Sequence, residues 1–446
     1  MSVVDQVRTD DQPHTLLRFA TAGSVDDGKS TLVGRLLYDT KSILADQLAA
    51  VEQASVDRGL TATDLALLTD GLRAEREQGI TIDVAYRYFS TANRSYVLAD
   101  TPGHVQYTRN MVTGASTAEL ALILVDARHG IVEQTRRHLA VTGLLGVRHV
   151  ALAVNKMDLV DFDEAVFVSI RDDFALLAKE FGIDEVTAIP LSALAGDNVV
   201  DRSDRTPWFD GPTLLEHLET VDVAPPVEQQ PFRFAVQYVI RPRSAEFPDY
   251  RGYAGRISAG SVKVGDRVVV TPGGRQSTVV GIDRGGRDGA LEELTVAHAQ
   301  QSVTLRLADD LDISRGAVIA DVGDRPVTVT ELTGTAVVVA ERPVRPRDRV
   351  LLRVGARQVR GMVSEIVDQV DITTLQRGPA PQSLELNALG RIGVRLAEPV
   401  SVDEYSRFRT TGSFLLISES DGTTLAAGMI ESPLHSVADE PESWSI

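Results

Sequence analysis

Eight consecutive residues, Gly23-Ser24-Val25-Asp26-Asp27-Gly28-Lys29-Ser30, have the types and spacing to hold a chain of phosphates. They fit the pattern GxxxxGK[ST], follow an apolar run that reads as a strand and open a stretch that reads as a helix. Glycines let the backbone curl so that its N–H groups face phosphate oxygens, and the helix N-terminus adds partial positive charge. Lys29 is expected to bridge the β- and γ-phosphates, and the Ser30 hydroxyl, next to Thr31, to hold Mg²⁺. Of the five lysines only Lys29 follows a glycine, so one such loop is expected.

Three further strings carry chemistry in the same order along the chain. Asp100-Thr101-Pro102-Gly103-His104 closes an apolar run. An acidic residue there can support Mg²⁺, usually through water. The Gly103 amide can approach a γ-phosphate closely, and His104 is expected to orient an attacking water. Asn155-Lys156-Met157-Asp158 closes another run, and Asn155, Lys156 and Asp158 are expected to select guanine. The Asp158 carboxylate can accept from the N1–H and the exocyclic amine of guanine, a donor pair adenine does not offer. Ser192-Ala193-Leu194 is expected to turn backbone amides toward the guanine O6. Taken singly these strings are ordinary turns; in this order, each at the end of a strand, they define a guanine-nucleotide switch. Arg76-Glu77-Gln78-Gly79-Ile80-Thr81 lies in the long segment Asp39–Asp83. Thr81 is expected to complete the metal shell and sense the γ-phosphate, making this segment a candidate order–disorder switch. The plain alternative is a helical insertion, since Leu60–Arg73 has a helical period.

Such a site needs a parallel sheet behind it. Leu16–Ala22, Ser95–Ala99, Ala121–Val125, Val150–Val154 and Thr187–Pro190 read as buried strands. Ser30–Tyr38, Gln134–Leu145 and Asp163–Phe181 read as helices between them, which implies βαβ units and a doubly wound, mostly parallel sheet. After Ala224-Pro225-Pro226 the helical period fades. Short Val/Ile/Thr/Arg strands separated by glycine turns then predict two antiparallel β-barrels. The expected domains are an α/β P-loop GTPase domain over 16–223 and barrels over 228–325 and 326–435. The acidic tail Ser436–Ile446 is expected to fray.

Composition bounds the function. The 446 residues suggest about three domains, and 43% hydrophobic with 24% charged residues is ordinary for a globular chain. The formal net charge is −18, of which residues 1–226, with 20 basic and 34 acidic side chains, contribute −14. That balance disfavours a nucleic-acid partner. Zero cysteines exclude disulfides and thiolate metal sites. Met1–Thr15 lacks the apolar core of a signal peptide. The most apolar stretch, Ala118–Ala127, is too short to span a membrane. No membrane partner and a cytoplasmic location are expected.

The motif set followed by two barrels resembles the translation-factor class of GTPases, to which elongation factor Tu belongs. Leu384–Gly390, Thr411–Phe414 and Ala427–Ile430 are similar to that class in its third domain. Asp27 stands where elongation factor Tu usually has histidine. The string Leu68–Phe89 and the continuation Val105–Met111 closely resemble the GTPase subunit of bacterial sulfate adenylyltransferase. Phe408-Arg409-Thr410 departs from the asparagine-containing string of that family. The resemblance implies a heteromer in which a separate catalytic subunit joins ATP and sulfate into adenylyl sulfate and pyrophosphate, driven by GTP hydrolysis here. The chain has no Ser-Gly-Gly-x-Asp-Ser loop and no His-x-x-His pair suited to adenylyl transfer. Some relatives carry a fused adenylyl-sulfate kinase, which needs its own P-loop; with one Gly-Lys and an end at Ile446, none is expected here. The competing readings are a factor delivering aminoacyl-tRNA and a free-standing signalling switch.

Overall fold

The run Thr15–Gly23 alternates so that Leu17 and Phe19 enter one hydrophobic layer and Ala20 and Ala22 the other. A strand buried on both faces belongs in the middle of a covered sheet. The computed structural model describes residues 15–43, 45–57, 63, 65–68, 84–102, 108–223, 229–242, 250–285, 291–371, 374 and 376–431. The chain divides into two compact units, Met1–Val223 with Thr373–Leu375, and the remainder.

In the first unit six strands form one sheet: β1 (Thr15–Gly23), β2 (Ala85–Ser90), β3 (Arg94–Asp100), β4 (Leu120–Asp126), β5 (His149–Asn155) and β6 (Glu185–Pro190). Their order is β2-β3-β1-β4-β5-β6. All pairings are parallel except β2 with β3. The expected strands fall within these elements, which extend one or two residues beyond them. The half-exposed antiparallel edge β2 has no counterpart in the sequence reading. Because β3 and β4 flank β1 on opposite sides, a crevice opens at the carboxyl ends of these strands, where ligands of such sheets bind.

Helix α1 (Lys29–Asp39) buries Leu32, Val33, Leu36 and Leu37 along one face. The long helix Glu164–Glu180 buries Phe167, Ile170, Phe174 and Leu177, and the Asp163 carboxylate caps it by accepting from the Ala165 amide at 2.8 Å. Of the helical stretch expected over Leu60–Arg73, the described part is Thr63 and a single 3₁₀ turn at Leu65–Leu68. Ser436–Ile446 lies outside the described residues.

The second unit holds two closed six-stranded antiparallel barrels. In the first, Arg233–Ile240 pairs with Gly252–Ala259, followed around the ring by Ser302–Leu307, Arg275–Gly285, Arg267–Thr271 and Val318–Asp321. In the second, Val327–Val338 is followed by Leu389–Val402, Arg357–Val370, Arg349–Val354, Ser413–Ser418 and Thr424–Ile430. Each encloses its own apolar core. Arg233, fully buried, joins them. It grips Asp403 with two bonds of 3.0 Å, bonds Asp324 at 2.7 Å and lies 4.3 Å from the Phe408 ring centre. Truncating one partner of such a pair costs about 3–5 kcal/mol, because the other charge stays buried.

His138, on the helix Glu133–Leu144, is buried in the first unit beside Gln134. Burial lowers its pKa to about 3, with the positive charges of Lys29 and Arg137 adding to the effect. The folded state therefore excludes a proton that the unfolded chain binds below pH ~6.5, so stability falls as pH drops through that value toward 3. At pH 5.5 the parent is expected to lose about 1.4 kcal/mol more, relative to pH 8, than His138→Gln. Urea unfolding at the two pH values checks this; equal losses would count against a neutral buried imidazole.

Candidate functional site

The loop between β1 and α1 is built around two left-handed residues. Asp26 has φ 66° at its tip, and Gly28 has φ 92° at the N-cap of α1. A Cβ on Gly28 would come within 2.5 Å of the Asn155 side-chain nitrogen, so only glycine fits both the dihedral and the approach. Within the loop the Ser24 amide donates to the Asp27 carboxylate, and Lys29 Nζ donates to the carbonyls of Gly23 and Ser24 at 2.9 Å each. Val25 and Asp26 are exposed, Asp27 and Lys29 buried, and Ser30 and Thr31 half-buried. Burial pushes the Asp27 carboxyl up, against the Ser24 amide and Lys29, which lower it. Burial likewise lowers the Lys29 ammonium, against the opposing charges of Asp100, Asp27 and Asp26. The loop thus brings a desolvated cation and the first turn of a helix to one point, which suits a polyphosphate anion.

Asp100, buried at the end of β3, lies across from Thr21 of β1 in the parallel register and accepts from its hydroxyl at 2.8 Å. The Thr101 hydroxyl donates to the Thr21 carbonyl. These bonds hold the start of the second motif against the loop strand. Ser30 and Asp100 supply hard oxygen donors of the kind Mg²⁺ accepts, so this donor set fits that ion. Gly103, His104 and Thr81, expected at the γ-phosphate, lie outside the described residues.

Asn155 turns out to be a brace. Its amide nitrogen donates to the Asp27 carbonyl at 2.7 Å, and its amide oxygen accepts from the Ala193 amide at 2.9 Å. One buried side chain thereby ties three of the four expected strings together. Lys156, left-handed at φ 61°, caps the 3₁₀ turn Met157–Val160 and donates to the Asp26 carbonyl. Asp158, on that turn, is half-buried, and its carboxylate has no hydrogen-bond partner among the described residues. Of the amides expected to face guanine O6, the Ser192 amide donates to the Asp197 carbonyl at 3.2 Å and that of Ala193 to Asn155, leaving that of Leu194. Arg35 of α1 reaches the same loop, bonding the carbonyls of Ala193 and Leu194.

Two contributors escaped the sequence reading. Arg35 carries no signal beyond an arginine on a helix. Asp126 had one: it is a lone carboxylate ending an otherwise wholly apolar strand, β4, directly beside the loop strand. No helix among the described residues is long and apolar enough to cross a membrane.

Comparison with known proteins fits this geometry. Residues 14–226 match the Elongation factor Tu GTP binding domain, and residues 331–431 match the family described as GTP-eEF1A C-terminal domain-like. Bifunctional enzyme CysN/CysC of Mycobacterium tuberculosis is 52% identical over 93% of this chain and 67% of its own length. Sulfate adenylyltransferase subunit 1 of Citrobacter koseri is 47% identical over 97% of this chain and 90% of its own. The protein of the same name from Laribacter hongkongensis is 49% identical over 94% and 85%.

Proposed function

This chain belongs to the family of sulfate adenylyltransferase subunit 1, and from that premise we infer that it is the GTP-hydrolysing regulatory subunit of a cytoplasmic heteromer. A separate catalytic subunit converts ATP and sulfate to adenylyl sulfate and pyrophosphate, and GTP hydrolysis on this chain drives that uphill step. The observation that carries the reading is the Asn155 brace, which joins the phosphate loop, the Asp158 turn and the Ser192–Leu194 loop into one site.

In this reading the residues act by positioning and electrostatics. Gly23, Ser24, Val25, Asp26, Asp27 and Gly28 wrap the phosphates with backbone amides. Lys29 leaves the carbonyls of Gly23 and Ser24 to meet the β- and γ-phosphates. Ser30, Thr81 and Asp100 would hold Mg²⁺, which would offset phosphate charge when bound, and Thr31 belongs to the nucleotide-binding loop. Gly103 donates its amide to the γ-phosphate and His104 orients the water. Asp158 reads the guanine N1–H and amine, the Leu194 amide meets O6, and Asn155 and Lys156 hold the walls in register.

A ligand shifts an equilibrium only by its differential binding, so GTP- and GDP-bound forms must differ in affinity for the catalytic subunit. The segment Asp39–Asp83, sensing the γ-phosphate through Thr81, is the carrier of that difference. The test is a coupled assay of this chain with the catalytic subunit, ATP and sulfate. With GTP, adenylyl sulfate is expected to accumulate about tenfold or more above its level with GDP or a non-hydrolysable analogue. Yield indifferent to hydrolysis, with GTP-dependent retention of aminoacyl-tRNA on filters, would instead favour a translation factor.

A further inference from the structure

The roles assigned above make no use of Asp126, although its carboxylate is among the most heavily bonded in the first unit. It is the last residue of β4, only 2% exposed, and pairs across the sheet with Asn155. Its Oδ1 accepts from the Arg128 amide at 2.9 Å and from Arg128 Nε at 3.0 Å. Its Oδ2 accepts from Arg128 Nη2 at 2.7 Å, lies 3.0 Å from Lys156 Nζ and 3.7 Å from His129 Nδ1. Burial raises its pKa, but the bonds from Arg128 and Lys156 outweigh that and hold it well below the usual carboxylate range. A buried anion so compensated is a fixed charge, and the group it fixes is Lys156.

Lys156 Nζ has two partners, this carboxylate and the Asp26 carbonyl at the tip of the phosphate loop. Asp26 is itself in the left-handed region, which among residues other than glycine Asp and Asn enter most readily. Arg128 also feels the charge of Asp158, so the same cluster borders the base-reading turn.

We propose that Asp126 is a positioning residue for nucleotide retention: set by Arg128, it holds Lys156 on the Asp26 carbonyl and so keeps the loop closed around a bound guanine nucleotide. Without it the lysine stem has several rotamers and the loop tip relaxes. The walls then open more readily, while the phosphate cradle that captures the ligand remains. The effect falls on departure more than on capture. This inference rests on the guanine-nucleotide reading of the site.

The experiment measures association and dissociation of a fluorescent GDP analogue by stopped flow, using the full chain and the variants Asp126→Asn, Lys156→Met and the double variant. Asp126→Asn is expected to speed dissociation about tenfold or more and to change association less than about threefold. If Asp126 acts through Lys156, the double variant is expected to dissociate no faster than the faster single one, because a residue whose only effect is through another adds nothing once that one is gone. Parent-like dissociation of Asp126→Asn, or a double variant whose rate is the product of both single effects, would overturn the proposal. Should Asp126→Asn not fold, the exposed Arg128 carries the test. Arg128→Gln is expected to speed dissociation in the same direction by about twofold to fivefold, and an unchanged rate overturns the proposal. A parent that binds no guanine nucleotide would remove the underlying reading as well; a parent that binds it but shares its release rate with Asp126→Asn overturns this inference alone.

Discussion

Lys29→Met is expected to weaken GTP binding about a hundredfold or more, the range for removing one member of a desolvated charge pair. The substitution keeps most of the buried stem and removes only the ammonium, which separates lost charge from lost volume. In the structure Nζ is satisfied by the carbonyls of Gly23 and Ser24, and burial already lowers its pKa. The ammonium is therefore a desolvated cation beside Asp100 and Asp27, the environment in which an incoming polyphosphate gains most from its charge. Titration calorimetry with GTP and GDP checks the expectation, alongside circular dichroism to confirm the fold. Affinity within about threefold of the parent would show that the phosphates bind elsewhere.

Asp158→Asn is expected to lower GTP affinity about a hundredfold and to favour xanthosine triphosphate over GTP. Two charge-assisted bonds from guanine N1–H and its amine are lost, at about 1.5–3 kcal/mol each before compensation. The new amide can donate to the carbonyl that xanthine carries in place of the amine. Asp158 suits this experiment because no described side chain or amide bonds its carboxylate, so little in the fold depends on it. Asn155→Ala would be a poor substitute: it unties the Asp27 carbonyl from the Ala193 amide and disturbs two walls at once. Competition binding between the two triphosphates reads the result, and an unchanged preference for GTP would remove Asp158 from base recognition.

The parallel sheet was legible because two of its interior strands, β4 and β5, are apolar on both faces and end in polar residues, Asp126 and Asn155. The helices Glu133–Leu144 and Glu164–Glu180 announced themselves through apolar periodicity and, for the second, the Asp163 cap. The edge strand β2 did not. Its pattern of alternately exposed residues includes Tyr86, 42% exposed, and Tyr88, 73% exposed, and nothing in a half-exposed run says which neighbour it pairs with or in which direction. The two barrels were legible as β-rich stretches with glycine turns. Their joint at Arg233 was not, because Asp324 and Asp403 are far away in the chain and an isolated arginine reads as a surface residue.

The same division runs through the site. Residue type and order already specify that a phosphate loop follows a strand and opens a helix, that three further motifs close later strands, and that the chain resembles sulfate adenylyltransferase subunit 1. These statements are carried by residue type and spacing within continuous stretches of the chain. Which side chains and backbone groups of these motifs bond one another emerged with the tertiary structure. It placed Asn155 as the brace between Asp27 and Ala193, left the Leu194 amide without a hydrogen bond among the described residues, and set Asp126 behind Lys156. The brace depends on the backbone groups of Asp27 and Ala193, and the Asp126–Lys156 pair on side chains at the ends of two strands, all brought within about 3 Å by a sheet that joins residues far apart in the chain. Residue type announces a motif, but a carbonyl or an amide has no letter of its own, and its partner exists only once the sheet has formed.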